Sequence, residues 1–412
     1  MADRKVGFVL VGGGLAAANC ARALRDSGAD GDVVLVGREA DLPYERPPLS
    51  KGYLRGTESR EQALVRDGAW YERNDVEVLT RTSAMKLDLE ARSIKLSNKQ
   101  ELEFDKLLLA TGANVRRLSV PGVELEGIHY LRTFANADAI REDAAGKRVV
   151  LIGGSYIAAE VAASLTELGS SCSLVMLEPV VLSRHFGPEA ARFLHDVLED
   201  HGIAIHGDDE LERFEGADGR VTKVVTKAGR ELEADAVVVG TGVVPDVMLA
   251  RAAGIELGET GGIRVNSRLE TAIDGVFAAG DVAEYESVVH DRRRIRVEHW
   301  DVAFNQGRTV ALNMLDRGVD YDVVPYFFSD LSDWAAIEYV GPAYAWDTEV
   351  VRGSPEAGSF IVFYLHAGRL LGALAVGRSE DLGQARRLIA AGAQLGDRLA
   401  ELGDLSTNLE AL

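Results

Sequence analysis

A glycine-rich turn near the amino terminus has the residue types and spacing that bind a dinucleotide. Gly12, Gly14 and Ala17 follow an apolar run, Val6–Val11, and open a helical pattern at Leu15–Leu24. Glycine lets the backbone approach a pyrophosphate, and the positive end of the helix favours the negative charge of that group. Four residues of the turn are predicted to contact the dinucleotide: Gly12, Gly14, Leu15 and Ala16.

Two acidic residues are candidates to bind the rest of that nucleotide. Glu39 follows an apolar run, Val33–Val36, where a carboxylate accepts hydrogen bonds from an adenosine ribose; a solvated loop acid is the alternative. Asp281 follows Gly280 at the end of a second apolar run, Val276–Ala279. Glycine admits a ligand closely and the carboxylate can accept a polyol hydroxyl, although a helix cap is the alternative for Asp281.

The same pattern returns in the middle of the chain. An apolar run, Arg148–Ile152, leads into Gly153 and Ser155 and then into a helical pattern at Ile157–Leu168. Each pattern is later closed by an apolar run that ends in Thr-Gly: Leu107–Gly112 and Val237–Gly242. The sequence therefore predicts an α/β protein with two tandem Rossmann-like dinucleotide-binding domains.

The last part of the chain has a different pattern. Two apolar runs, Ile361–Leu365 and Leu370–Val376, flank Ala367 and Gly368 as in a β-hairpin, and a helix is expected near Leu382. This tail predicts a separate α+β domain.

The composition excludes several classes of function. The 412 residues exceed one hydrophobic core and carry a formal net charge of −20, which opposes binding to nucleic acid and to anionic membranes. The chain has no run of about 18 apolar residues and no clustered His and Cys ligands, so we expect neither a membrane span nor a metal. Cys20 and Cys172 form no C-x-x-C pair, so we expect no dithiol redox centre and a cytoplasmic location.

One string is more specific than any glycine pattern. Residues Pro43–Lys51, read with Ala110–Gly112 and Phe277–Asp281, resemble the FAD-dependent NADH:ferredoxin reductases of oxygenase systems, whose relatives include apoptosis-inducing factor. The resemblance covers essentially the whole chain. It implies an FAD-binding domain at 1–117 and 246–325, an NAD(H)-binding domain at 118–245 inserted into the first, and a C-terminal α+β domain at 326–412.

The same resemblance implies roles around the flavin. Arg46 would contact the FAD phosphates, Lys51 would lie near flavin N5, and Asp281 would hold the ribitol. A fixed cation near N5 favours the anionic reduced flavin, whereas a surface lysine is the alternative for Lys51. Further FAD residues are implied in the chain: Glu39, Ala110, Thr111, Gly112, Gly280, Glu298, His299, Trp300 and Phe328. Relatives often carry tryptophan at Phe328, where core packing is the alternative role, and a structural imidazole is the alternative for His299.

The second turn is expected to bind the nicotinamide nucleotide. By the resemblance, Glu160 contacts the nicotinamide carboxamide and pairs with Lys51, and these two are the candidate catalytic residues; a helix-surface glutamate is the alternative. Glu178, at the end of the predicted strand Val175–Glu178, would accept ribose hydroxyls and favour NADH over NADPH. Two features weaken that preference, because relatives often carry their acid at Met176 and Arg184 can serve a phosphate. The candidate residues for this nucleotide are Gly153, Ser155, Tyr156, Ile157, Glu160, Glu178, Arg184 and Gly242.

Ser155 departs from the family pattern, which has glycine at this position in many relatives. Its Cβ and hydroxyl stand where backbone usually approaches the pyrophosphate, so we expect the nicotinamide affinity to be affected.

The activity that the resemblance implies is electron transfer from NADH through FAD to a two-iron, two-sulfur ferredoxin that feeds an oxygenase. Two alternatives stay open: reduction of a small acceptor such as a quinone or an ascorbate radical, and a redox-sensing role like that of apoptosis-inducing factor. A dense basic run is a candidate docking surface for an acidic ferredoxin, with a solvated loop as the alternative: Arg292, Arg293, Arg294 and Arg296. Monomer and homodimer are both compatible with the sequence.

Overall fold

The structure is a computed structural model that describes residues 2–342 and 344–412, and it contains two compact units. The first unit comprises the chain up to Glu45 together with Glu61–Asn114 and Val244–Tyr326. The second unit comprises Arg46–Arg60, Val115–Val243 and Phe327–Leu412.

The strands, in chain order, are β1 (Arg4–Val11), β2 (Val33–Val36), β3 (Val76–Leu79), β4 (Ala84–Asp88), β5 (Ser93–Leu96), β6 (Glu101–Leu109), β7 (Ala113–Val115), β8 (Ile128–Tyr130), β9 (Arg148–Ile152), β10 (Ser171–Val175), β11 (Ala204–His206), β12 (Leu211–Ala217), β13 (Arg220–Thr226), β14 (Glu231–Glu233), β15 (Ala236–Val239), β16 (Val243–Pro245), β17 (Ile263–Arg264), β18 (Val276–Ala278), β19 (Ala283–Ser287), β20 (Arg293–Ile295), β21 (Tyr326–Leu331), β22 (Ala335–Val340), β23 (Thr348–Ser354), β24 (Ser359–His366) and β25 (Arg369–Val376).

The α-helices are α1 (Leu15–Asp26), α2 (Gly52–Arg55), α3 (Arg60–Ala63), α4 (Gly68–Arg73), α5 (Phe134–Ala144), α6 (Tyr156–Glu167), α7 (Ser183–Asp200), α8 (Met248–Ala252), α9 (Trp300–Met314), α10 (Ser379–Ala390) and α11 (Leu399–Gly403). Short 3₁₀ helices occur at Pro47–Ser50, Gly280–Val282, Val288–His290, Gly396–Arg398 and Leu409–Ala411.

The first unit is built on a sheet in the order β3-β2-β1-β6-β5-β4, with β18 also paired to β6. The β3, β2, β1, β6 and β18 pairings are parallel. Val11 lies opposite both Val36 and Leu109, and Leu109 lies opposite Ala278, so these strands end at one edge of the sheet. All four residues of β2 are buried, as expected for a parallel strand covered on both faces.

The second unit contains a parallel sheet in the order β11-β10-β9-β15-β8. Ile152 at the end of β9 lies opposite Val175 and Val239, so this sheet also brings its strand ends to one edge. The same unit contains a three-stranded sheet, β12-β13-β14, and a C-terminal sheet in the order β21-β22-β25-β24-β23.

The predicted α/β class with two Rossmann-like halves and a C-terminal α+β part is confirmed, whereas the proposed domain boundaries stay a prediction. The hairpin of β24 and β25 and the helix near Leu382 are as expected. The predicted strand Val175–Glu178 is wrong, because β10 ends at Val175. The paired registers of β10 with its neighbours β9 and β11 both end at that residue. Glu178 therefore lies in the following loop.

Candidate functional site

The first glycine turn has the backbone that a dinucleotide site requires. Gly12 has φ +141°, and a Cβ there would lie 2.1 Å from the carbonyl oxygen of Ala110, so only glycine fits. Gly14 is the N-cap of α1 and, among the described residues, no side chain caps the helix. A Cβ at Gly14 would meet no described atom within 4 Å. Because no described side chain caps α1, its first-turn N–H groups can donate hydrogen bonds to an anion.

Two other predicted segments meet this turn within the first unit. Ala110 continues β6 and donates its N–H to the carbonyl of Val11 at 2.8 Å, and Thr111 Oγ1 donates to the carbonyl of Asp246 at 2.6 Å. Gly280 has φ +77°, and a Cβ there would lie 3.4 Å from the Cβ of Ala16. The sheet edge therefore brings Gly12, Ala110, Gly280 and the adjoining Asp281 to the start of α1.

Sequence reasoning missed a buried amide at this place. The side chain of Gln306, on α9, is fully buried and its Oε1 accepts the N–H of Gly280 at 2.8 Å. The signal that could have identified Gln306 is a polar residue directly before a glycine, Gly307, in the helix that packs on α1. A Cβ at Gly307 would lie 2.3 Å from the carbonyl oxygen of Ala16, so α9 and α1 meet at their backbones.

Other predicted flavin residues have defined positions in the first unit. Glu39 is partly buried and accepts a hydrogen bond from the hydroxyl of Tyr44, so it is not simply a solvated loop acid. Glu298 pairs with Arg296, His299 is the N-cap of α9, and the ring of Trp300 stacks on Phe304 at 5.2 Å. Their contact with FAD stays a prediction.

The second glycine turn repeats the first. Gly153 has φ +113°, and a Cβ there would lie 2.5 Å from the carbonyl oxygen of Gly240. Ser155 is the N-cap of α6, and its Oγ accepts the N–H of Ala158 at 3.4 Å while donating to the carbonyl of Gly240 at 2.7 Å. The hydroxyl of Ser155 is thus bound by the protein's own backbone.

An acid and a cation lie beside this second turn. Arg184 Nε is 2.8 Å from Glu178 Oε1, and Glu178 Oε2 is 3.4 Å from the position of a Cβ on Gly154. Glu178 therefore faces the turn although it is not in a strand. The sulfur of Met176 lies 2.8 Å from the same Cβ position. The beginning of α6 adds Ile157, which is 40% exposed, and Tyr156, whose ring centroid is 4.5 Å from that of Phe327.

A buried ion pair joins the two candidate catalytic residues. Lys51 Nζ is 2.6 Å from Glu160 Oε1, and the two side chains are only 12% and 4% exposed. Ser50 Oγ and Ser329 Oγ also donate to the Glu160 carboxylate, at 2.5 and 2.6 Å. Neither a surface lysine nor a helix-surface glutamate fits this arrangement. The two serines were not among the predicted site residues.

Two residues of β21 complete this cluster. Lys51 Nζ lies 5.7 Å from the ring centroid of Phe328, within the range of a cation–π interaction. Burial raises the pKa of the Asp330 carboxyl above its ordinary value, and the charge of Glu160 adds to this effect while Lys51 opposes it. The cluster therefore places the Asp330 carboxyl, whose pKa is raised, near the Lys51–Glu160 ion pair.

Arg46 has a partner in the second unit. Its guanidinium donates a hydrogen bond to the carbonyl of Arg132, and the following Pro47–Ser50 segment forms a 3₁₀ helix. This rigid turn places Ser50 and Lys51 against Glu160.

The basic run has less free charge than the sequence indicates. Arg292 and Arg294 lie 2.6 and 3.7 Å from the carboxylate oxygens of Glu286, and Arg296 pairs with Glu298. Arg292, Arg294 and Arg296 thus each have an acidic neighbour.

Several classes of site are absent from residues 2–342 and 344–412. In those ranges there is no group of three His, Cys, Asp or Glu side chains arranged to hold a metal, and no helix that is both long and apolar enough to cross a membrane. Cys20 and Cys172 are free and buried. Burial raises the pKa of Cys172 to about 11, so this group is a thiol and a poor nucleophile at neutral pH.

The geometry agrees with the comparison with known families. Residues 7–307 match the family described as pyridine nucleotide-disulphide oxidoreductase. This chain belongs to that family. Residues 326–412 match a second family, reductase C-terminal. The name of the first family refers to a disulphide, but Cys20 and Cys172 of this chain are free.

Individual relatives match this oxidoreductase over nearly its whole length. It is 38% identical over 390 residues to the anthranilate 1,2-dioxygenase system ferredoxin–NAD(+) reductase component of Burkholderia cepacia, covering 94% of each chain. It is 31% identical to human apoptosis-inducing factor 3, covering 96% of this chain but only 64% of that protein. The crystal structure of the covalent putidaredoxin reductase–putidaredoxin complex matches with a TM-score of 0.92 at 32% identity, covering 100% of this chain and 98% of the other.

Proposed function

We propose that this chain is an FAD-containing reductase that takes electrons from NAD(P)H and passes them to an iron–sulfur ferredoxin of an oxygenase system. The observation that carries the proposal is the end-to-end similarity to a dioxygenase ferredoxin reductase component, which covers 94% of both chains. FAD, when bound, accepts a hydride from the nicotinamide and supplies electrons one at a time to the iron–sulfur partner.

The residues of the first unit fit FAD. The open start of α1 at Gly14 offers N–H donors for the diphosphate, and Asp281, which adjoins the Gly280 turn, offers a carboxylate to the ribitol. Further residues of this unit are proposed to hold the cofactor: Gly12, Leu15, Ala16, Glu39, Ala110, Thr111, Gly112, Gly280, Glu298, His299 and Trp300. The roles that the family resemblance implies for Arg46, Lys51 and Phe328, which belong to the second unit, stay predictions.

Lys51 and Glu160 are proposed as the residues that act on the reacting groups. Glu160 receives hydrogen bonds from Lys51, Ser50 and Ser329. A fixed, poorly solvated cation stabilises negative charge that develops beside it more strongly than a cation in water does. Glu160 can also accept the N–H of a nicotinamide carboxamide.

The nicotinamide nucleotide is proposed to bind at the second turn, with NADH preferred. A carboxylate at Glu178 accepts ribose hydroxyls and repels a 2′-phosphate, but its ion pair with Arg184 offsets part of that repulsion. The hydroxyl of Ser155 is bound to the carbonyl of Gly240, which supports a turn that stays open to the diphosphate. Gly153, Tyr156, Ile157 and Gly242 complete the proposed site.

The ferredoxin is proposed to dock at the basic run. The surface includes Arg292, Arg293, Arg294 and Arg296, and the side chain of Arg292 is 66% exposed. An acidic partner can compete with Glu286 for these guanidinium groups, and complementary charge mainly accelerates association.

Rapid mixing of the purified yellow protein with NADH or NADPH tests the proposal. We expect fast bleaching of the flavin with NADH, slower bleaching with NADPH, and rapid cytochrome c reduction once a suitable ferredoxin is added. A colourless protein, or one whose flavin NADH does not bleach, would falsify the proposal. Fast quinone reduction without ferredoxin would favour the small-acceptor reading. Slow turnover with every acceptor, together with a long-lived NADH-bound form, would favour a redox sensor.

A further inference from the structure

We infer that Gln306 is a positioning residue for the cofactor, which it serves by holding the Gly280–Asp281 turn in place. The inference rests on the proposed function, since the turn matters in this way only if FAD binds. It adds a residue that lies outside both glycine turns and outside the Pro43–Lys51 string.

The position of Gln306 follows from how α9 meets α1. Gly307 lets the two helices touch at their backbones, because a Cβ at this residue would lie 2.3 Å from the carbonyl oxygen of Ala16. Gly280 lies at the same place, since its own Cβ would be 3.4 Å from Ala16 Cβ and 3.7 Å from Ala303 Cβ. The amide of Gln306 thus reaches Gly280 directly beside the first turn of α1.

The side-chain oxygen of Gln306 holds the Gly280–Asp281 turn. Gln306 Oε1 accepts the N–H of Gly280 at 2.8 Å in a fully buried environment. An N–H needs an acceptor, so this bond also identifies which amide atom is the oxygen. Gly280 has φ +77°, a conformation that glycine adopts readily, and the bond to Gln306 selects one of its conformations. The direction of Asp281, the next residue, depends on that choice.

The side-chain nitrogen of Gln306 has no hydrogen-bond partner among the described residues. Gln306 Nε2 is buried and makes no hydrogen bond within the part of the chain that the structure describes. A buried donor without an acceptor destabilises the folded state. An apolar side chain of similar shape would remove this donor but would leave the buried N–H of Gly280 without its acceptor, so the two effects on stability oppose each other. A residue that adds little net stability yet fixes a turn at the cofactor site is expected for function and not for folding.

Asn313 on the same helix shows the contrast. Its Nδ2 donates to the carbonyls of Arg268 and Val319 at 2.7 and 2.8 Å, and its Oδ1 accepts the N–H of Val319 at 2.7 Å. Both halves of this buried amide are used, and none of these contacts involves Gly280. Asn313 is therefore a matched control with a structural role.

The test compares Gln306→Met, Gln306→Glu and Asn313→Leu in the full chain. FAD release is followed by the recovery of flavin fluorescence after dilution of the yellow protein, and thermal unfolding is measured after FAD has been stripped. We expect Gln306→Met to release FAD roughly tenfold faster than wild type, because the bond to Gly280 is lost. The same variant should unfold near the wild-type temperature when FAD is absent, because it exchanges one unpaired buried donor, Gln306 Nε2, for another, the N–H of Gly280. Gln306→Glu keeps an acceptor for Gly280 and should release FAD within about twofold of the wild-type rate.

Asn313→Leu should show the opposite behaviour, with a lower unfolding temperature of the FAD-free protein and unchanged FAD release. Two results would overturn the inference: wild-type FAD release by Gln306→Met, or loss of FAD-free stability in Gln306→Met as large as that in Asn313→Leu. Gln306→Glu that releases FAD as fast as Gln306→Met would overturn it as well. If the proposed function is wrong, the wild-type protein itself binds no FAD. That result is distinct from those that would overturn the inference on Gln306.

Discussion

At the scale of single residues, the candidate site depends on the buried Lys51–Glu160 ion pair. Both carboxylate oxygens of Glu160 accept hydrogen bonds. Removing two charges from water costs free energy that their attraction returns only when further hydrogen bonds satisfy the pair. Ser50 and Ser329 supply those bonds to Glu160 from two distant parts of the sequence. Such a pair is weak evidence for stability, and the proposed role of Lys51 and Glu160 in electron transfer stays a prediction.

Replacing Lys51 removes the cation of this pair. We expect Lys51→Met to slow flavin bleaching by NADH by roughly 10²-fold while FAD remains bound, because the developing negative charge loses its fixed counter-charge. Rapid-mixing absorbance measures the rate. Lys86→Met is the matched control, since Lys86 is an exposed lysine that also has an acidic neighbour, Asp88. Equal bleaching rates for the two variants would contradict a role for Lys51.

Asp330 gives the same cluster a pH dependence. A carboxyl whose pKa is raised in the folded protein stabilises the fold most at pH below its ordinary value of 3.8, and this contribution is lost as the pH rises through the raised pKa. We expect Asp330→Asn to remove that loss, so its free energy of unfolding should exceed the wild-type value at neutral pH and match it in acid.

Urea unfolding from about pH 4 to about pH 8, with FAD at one saturating concentration, measures the Asp330 effect. Asp333→Asn, in the exposed turn that follows β21, is the control and should track the wild type. A parallel pH profile for Asp330→Asn and wild type would show that burial does not control this carboxyl.

At the scale of elements, the second glycine turn tests how much a departure from a motif matters. The hydroxyl of Ser155 caps α6 and bonds to the carbonyl of Gly240, where a glycine would leave both groups without a side-chain partner. The structure of α6 therefore gives Ser155 a local stabilising role.

Removing this hydroxyl should change stability more than nucleotide binding. We expect Ser155→Ala to lower the free energy of unfolding by about 1 kcal/mol and Ser155→Gly by a few tenths of that. Neither should tighten NAD⁺ binding more than about twofold, because the hydroxyl is directed to the backbone. Urea unfolding and fluorescence titration measure the two effects.

Thr133→Ala is the matched control for Ser155, since Thr133 caps α5 through its side chain and belongs to no proposed site. It should lose similar stability with unchanged NAD⁺ affinity. A large gain of NAD⁺ affinity in Ser155→Gly alone would mean that the serine obstructs the diphosphate.

At the scale of the whole molecule, charge governs encounters with other proteins. A formal net charge of −20 repels an acidic ferredoxin at long range, so association requires a local basic surface. Arg292 and Arg294 share Glu286, which halves the charge that the sequence alone indicates for this pair.

Neutralising this surface should slow the transfer of electrons to ferredoxin and leave the reduction of the flavin by NADH unchanged. We expect the double variant Arg292→Gln, Arg294→Gln to reduce ferredoxin roughly tenfold more slowly at low ionic strength, with flavin bleaching by NADH unchanged. The difference should vanish in high salt, where the charges are screened. Coupled cytochrome c reduction across ionic strength measures it.

The control for the basic surface is Arg213→Gln, Lys223→Gln, which removes two partly exposed cations, on β12 and β13, that likewise lie beside acids. If both double variants slow ferredoxin reduction equally, the effect is one of net charge and the docking surface lies elsewhere.

The amino-acid sequence by itself determined the features that are local along the chain. The turns at Gly12 and Gly153 follow from glycine in conformations that other residues avoid, next to apolar strands and helices of ordinary periodicity. The string Pro43–Lys51 and the missing cysteine pair likewise identify the family without any coordinates. Fold class, cofactors and the type of partner were therefore accessible from the sequence.

Only the tertiary structure decided which distant side chains meet. Ser329 reaches Glu160 and Gln306 reaches Gly280 through contacts that no pattern in the chain marks, and β10 ends at Val175 because its neighbours end there. The ion pair of Glu286 with Arg292, which reduces the charge of the basic run, likewise depends on the tertiary structure. Hydrogen bonds and ion pairs depend on separations of a few ångströms, and packing brings groups that close without regard to their distance in sequence.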